Sequence, residues 1–143
     1  MKALGPFACA LVGAAMFIAS PTVRAHHAFA AEFDAAQPIT LRGTVTRVEW
    51  INPHTWIHIT VKEADGKSTE WMIEGGTPNT LLRRGVDKNS IPAGTEIIVD
   101  GYRAKNGSNR ANGRDLTLPS GKKLFVGSSG TGAPSDGRDA AEK

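Results

Sequence analysis

A chain of 143 residues with 17 Lys and Arg against 14 Asp and Glu has room for one domain and a net charge of only +3, its four histidines taken as neutral. The basic residues are scattered among acids, so the basic stripe that a nucleic-acid surface needs is absent. The one cysteine, Cys9, lies in the N-terminal apolar run, which excludes disulfides, thiolate metal sites and thiol nucleophiles from everything after that run.

Residues 1–25 have the plan of a secretory signal peptide. Lys2 is a short positive start, residues 3–18 are apolar but broken by Gly5, Pro6 and Gly13, and Val23-Arg24-Ala25 offers small or apolar residues for cleavage. The run falls short of the roughly 20 residues a spanning helix needs, and Pro6-Phe7-Ala8 before Cys9 is a poor lipoprotein signal. The chain is therefore expected in the periplasm or outside the cell, as a monomer, with no membrane span once the leader is gone. Removing Lys2 and Arg24 with the leader leaves 15 basic and 14 acidic residues, and a chain still long enough to bury a modest core.

Residues 26–38 read as a lead-in arm, either one helical turn or an extended segment, with Phe29 and Phe33 four apart. A first strand is expected over 39–50. Leu41 and Val45 share one parity and Val48 and Trp50 the other, and such a phase change implies a bulge, with Gly43 permitting a bend. Asn52-Pro53 breaks the run as a turn. The second strand, 56–62, sets Ile57, Ile59 and Val61 toward the core and Trp56, His58 and Thr60 on the other face. Asp65-Gly66 signals a hairpin into a third strand over 69–74.

After Gly75-Gly76, Thr77 caps a short helix that Pro78 opens and Gly85 ends. Leu81 and Leu82 give it an apolar side, and Arg83 and Arg84 suit the negative end of its dipole. A fourth strand follows over 95–103, then a Gly/Asn-rich loop over 104–114, then a closing strand pair over 115–118 and 123–126. Residues 127–143 read as a disordered tail. Its Gly127-Ser128-Ser129-Gly130-Thr131-Gly132 mimics a nucleotide loop without the helix that such a loop requires.

Three strands, a short helix and further strands make an all-β fold: a small OB-like β-barrel over 39–126, the helix between strands 3 and 4. Four segments, 26–34 (His26-His27-Ala28-Phe29-Ala30-Ala31-Glu32-Phe33-Asp34), 43–45 (Gly-Thr-Val), 49–56 (Glu-Trp-Ile-Asn-Pro-His-Thr-Trp) and 78–81 (Pro-Asn-Thr-Leu), resemble a family of small exported bacterial proteins catalogued as a domain of unknown function. The resemblance implies export and a small β-barrel, and it implies no activity.

No Gly-x-Ser-x-Gly elbow or paired-carboxylate motif stands in the chain, and Glu49, Glu70 and Glu74 are read as strand carboxylates facing water. An exported, non-enzymatic binding module of unknown ligand or protein partner is the first expectation. Its surface is the turn region with Trp50, Trp56 and His58, because tryptophan is enriched at binding surfaces. The alternative is periplasmic Cu(II) binding. Cleavage after Ala25 makes His26 the first residue, whose amine and imidazole chelate together. Cleavage after Arg24 makes Ala25-His26-His27 a start with histidines second and third. The first gives the tetragonal set that suits Cu(II), and the second offers Cu(II) or Ni(II) a square-planar nitrogen site. The chain is similar in that residue alone to proteins that bind copper through an N-terminal histidine. His26, His27 and His54 are the expected ligands, with His58 in reserve. The same histidines also suit plain roles: a polar N-terminus, a satisfied turn backbone, a ring stacked on Trp56. Function is expected at Asn52-Pro53-His54 rather than in the loop over 104–114, with the arm folded back so that Phe29 and Phe33 anchor near Trp50 or Trp56.

Overall fold

The computed structural model describes residues 28–128 and Pro134. The predicted leader, His26 and His27, and nearly all of the predicted tail lie outside the described residues. α1 (Ala28–Glu32) runs directly into β1 (Phe33–Glu49), and β2 (Trp56–Lys62), β3 (Ser68–Glu74), α2 (Pro78–Arg83), β4 (Glu96–Ala104), β5 (Arg110–Thr117) and β6 (Lys123–Phe125) follow. The strands form one sheet in the order β3-β2-β1-β4-β5-β6, and β5 also pairs with β3 in parallel. That extra pairing turns the first five strands into a ring. The fold is all-β, with a short helix between β3 and β4 as the element order predicts.

β1 is longer than its expected span because it starts at Phe33, opposite Ala104 of β4. Its bend has the predicted cause. Pairing with β2 slips between Val45 and Arg47, so Thr46 is the extra residue that shifts the inward parity from Val45 to Val48. At Gly43 a Cβ would stand 2.9 Å from the Thr60 carbonyl oxygen, so only glycine lets β2 come this close. Ile57, Ile59, Ile73, Ile97 and Val99 fill the ring, each less than 2% exposed. Burial at that level contributes roughly 1.5–3 kcal/mol per side chain.

α2 is capped as expected: Thr77 Oγ1 accepts from the Thr80 backbone N–H at 3.1 Å, and Gly85 follows the helix at φ 77°. Its apolar side is one residue wide, however. Leu81 is fully buried, while Leu82 is 51% exposed, because a six-residue helix lays only one face on the core. Arg84 is engaged beyond the helix dipole: it donates to the Gly127 carbonyl at 2.5 Å and lies over the Phe125 ring. Gly127 and Ser128 are buried as well, and Ser128 Oγ donates to the Gly75 carbonyl.

The main departure lies between 104 and 114. The expected loop shrinks to 105–109, and β5 begins at Arg110. Asn112-Gly113 is a turn signal by composition, yet here it is strand. At Gly113 a Cβ would come within 2.7 Å of the Ile73 side chain, and at Gly101 on β4 within 2.1 Å of the Asn112 carbonyl oxygen. Both glycines serve close strand approach rather than a turn.

Phe29, Phe33 and Ala104, with Tyr102 packed against them, form a second small core. Phe29 meets Tyr102 edge-on with centroids 5.5 Å apart, and Phe33 lies 5.8 Å from Phe29. This corrects the expected anchorage: the two phenylalanines hold α1 to Tyr102 and Ala104, not to Trp50 or Trp56. The reason is register, since β1 enters the sheet beside the end of β4.

Candidate functional site

Strand register builds two ladders across β1, β2, β3 and β5. One reads Glu49, Trp56, Glu74, Asn112; the other reads Arg47, His58, Met72, Arg110. Ile57, Ile73 and Ala111 alternate with these residues and are fully buried in the core, so the ladders lie on the outer side of the sheet. Cross-strand neighbours on one face approach within about 5 Å, which puts these polar groups in reach of one another.

Arg47 pairs with Glu49 at 2.8 Å, and Glu49 Oε1 lies 3.0 Å from His58 Nε2. The Arg47 hydrogen bond holds the Glu49 carboxyl below its usual range. The Arg110 guanidinium sits 4.8 Å from the centre of the Trp56 ring and 3.2 Å from Glu32 of α1. A cation over an indole face is attracted by the ring quadrupole, so Arg110 ties the arm to Trp56.

His54 arrives from the turn. Backbone bonds from Thr55 N–H to the Gly76 carbonyl and from Gly75 N–H to the Thr55 carbonyl fasten that turn to the end of β3. Its Asn52-Pro53 peptide is cis. Glu74, the last residue of β3, then faces His54, with Nδ1 to Oε1 at 3.5 Å. Glu74 Oε1 also accepts from Asn112 Nδ2 at 3.4 Å. Burial pushes the Glu74 carboxyl above its usual range; His54 opposes that most strongly, the charge on Glu32 adds to it, and Arg110 and Asn112 oppose it further. The arm thus meets the sheet on the side that carries Glu74, and Glu74 faces His54.

These residues span the chain from Glu32 to Asn112, and comparison with protein families covers all of them. The chain belongs to a family of unknown function, DUF6152. Its family model matches residues 15–113, more than half of the chain. No curated protein and no solved structure matches. The DUF6152 match also takes in the four segments that suggested a family resemblance.

Of the residues singled out from sequence, His54 is partly exposed beside Glu74, and His58 is buried against Glu49. Trp50 and Trp56 do not make one open aromatic face. Trp50, just past the end of β1, is partly buried and packs on the core, whereas Trp56 is on the outer ladder beneath Arg110. His26 and His27 lie outside the described residues. Among the described residues, no three His, Cys, Asp or Glu side chains gather as a metal set.

Sequence reasoning missed Glu32, Glu74, Arg110 and Asn112. Glu74 was expected to face water and is only 7% exposed. A carboxylate directly before Gly75-Gly76, where chains pass closely, was its one signal. Arg110 and Asn112 were hidden in the expected loop, so turn and loop are not rival locations; both supply this site. Two other clefts among the described residues carry no such chemistry. One of about 470 Å³ and one of about 380 Å³ share Arg42 and Glu96, and neither is lined by a histidine or by any residue of the two ladders. No helix among the described residues is long and apolar enough to cross a membrane.

Proposed function

We propose that this is an exported, non-enzymatic binding module whose ligand is a divalent transition metal, Cu(II) by its donor set, held by His54 together with His26 and His27. One observation carries the reading: α1, which directly follows those two histidines, docks on the side of the sheet where Glu74 faces His54, through Arg110 to Glu32 at 3.2 Å. The donors fit the ion. Neutral imidazoles and a terminal amine favour Cu(II) in tetragonal geometry, and His54 Nε2 has no hydrogen-bond partner among the described residues. Export rests on the apolar leader. A partner surface on Trp50 and Trp56 has less to support it, since Trp50 is partly buried and packs on the core while Arg110 lies over the Trp56 ring.

Intact mass of the exported protein establishes which residue is first. Copper titration followed by electron paramagnetic resonance then counts nitrogen ligands. Replacing His26 by Ala, or adding a residue before it, should abolish the high-affinity signal, and His54→Ala should remove one nitrogen. Affinity should fall as pH drops, because imidazole ligands bind metal only when deprotonated. A protein that takes up no copper, or a spectrum indifferent to these changes, ends the reading.

A further inference from the structure

His54 Nδ1 is shut off from solvent and has no formed hydrogen bond. The group facing it is the Glu74 carboxylate at 3.5 Å. A carboxylate only accepts, so the nitrogen facing it must carry the proton. If the proton sat on Nε2 instead, an imidazole lone pair and a carboxylate would confront each other in a buried space, which is repulsive. Glu74 cannot simply swing away. It is 7% exposed, it ends a strand paired on both sides, to Trp56 and to Asn112, and its Oε1 accepts from Asn112 Nδ2. Asn112 is itself 2% exposed. The turn that brings His54 is tied by two backbone bonds to Gly75 and Gly76, the residues next to Glu74. Ring and carboxylate are thus mounted on one rigid corner.

We propose that Glu74, steadied by Asn112, is the positioning residue for His54: it keeps the proton on Nδ1 and presents the Nε2 lone pair outward, so that His54 takes an electron-pair acceptor, a metal ion above all. Ligand histidines ordinarily give their other ring N–H to a carboxylate or carbonyl, which fixes the tautomer and makes the ligating nitrogen more basic. A cation held at Nε2 would make Nδ1–H more acidic and so strengthen its attraction to Oε1. The inference deepens the copper reading and rests on it for the identity of the ion, but not for the geometry.

The test separates the two. Imidazole nitrogen resonances of metal-free, 15N-labelled protein at pH 8 report the His54 tautomer directly, with His54→Ala to assign the signals. His54 should be protonated at Nδ1 in the parent and in Glu74→Gln, whose side-chain oxygen still accepts, and should shift toward the Nε2-protonated form in Glu74→Leu. An Nε2-protonated parent, or a Glu74→Leu spectrum equal to the parent's, overturns the proposal. The parent tautomer needs no variant, so misfolding of Glu74→Leu leaves the test standing. With copper as the probe, Glu74→Leu should bind 10–100-fold more weakly, and Glu74→Gln much closer to the parent. Where the parent does take up copper, equal affinity for parent and Glu74→Leu also overturns the proposal. A parent locked at Nδ1 that takes up no copper supports the positioning role and ends the copper reading alone.

Discussion

Phe29→Ala should release α1 without unfolding the ring. Phe29 is 3% exposed and sits in a cluster outside the main core, against Phe33 and the edge of Tyr102. Its burial is worth roughly 1.5–3 kcal/mol, and the edge-on ring contact about 0.5–1.5 kcal/mol more. Docking of the arm should therefore weaken by about 2–4.5 kcal/mol, or roughly 30- to 1,600-fold in the docked-to-free ratio at about 1.4 kcal/mol per decade. In a closed core the same truncation would cost global stability. Here the five residues of α1 can open as a unit while the sheet stays paired, so the loss is local. The reporter is the Lys105 amide, which donates to the Glu32 carbonyl at 2.9 Å. Its hydrogen exchange should accelerate by the stated factor, up to the limit set by intrinsic exchange, while the amides of β2 keep their protection. Unchanged exchange at Lys105, or an equal loss of protection throughout β2, would refute the idea of a separately docked arm.

Gly101→Ala should cost about 2–4 kcal/mol, seen as a lower urea midpoint, because its Cβ would sit 2.1 Å from the Asn112 carbonyl oxygen; overpacking costs about 1–3 kcal/mol and a lost ladder hydrogen bond about 1. A midpoint within error of the parent would show that β4 and β5 can part without penalty. Leu81→Ala should cost about 2–5 kcal/mol and Leu82→Ala less than about 0.5, since only Leu81 is buried; equal effects would mean that α2 packs by its other face. Glu74 binds its proton more tightly in the fold than its ordinary value of 4.5 allows. Its contribution is therefore full below about pH 4.5 and declines as pH rises through the raised value. Metal-free Glu74→Gln, which cannot ionise, should gain stability relative to the parent between pH 4 and pH 8, and a stability difference independent of pH contradicts the shift.

Local chemistry was enough for much of the fold. The strict alternation of Ile57, Ile59 and Val61, the parity change around Thr46, Thr77-Pro78 at a helix start and Gly85 at its end each act over a few residues. Periodicity and backbone preference therefore identify them without knowledge of partners. The turn at Asn52-Pro53-His54 was legible for the same reason. What needed the tertiary structure was everything decided by who lies across the strand. Asn112-Gly113 has a turn's composition, yet it pairs with both β3 and β4 as strand, and Gly113 is there because a side chain would strike Ile73. Glu74 has a surface residue's chemistry, yet its register against Trp56 and Asn112, with His54 folded over it, buries it. Trp50 and Trp56 are near in sequence, but Trp50 packs on the core while Trp56 pairs across from Glu49 and carries Arg110 over its ring. Arg110 reaches Glu32 only because the parallel pairing of β3 with β5 closes the ring beside α1. Such long-range register is set by the sum of core packing across five strands, and no local window carries that sum.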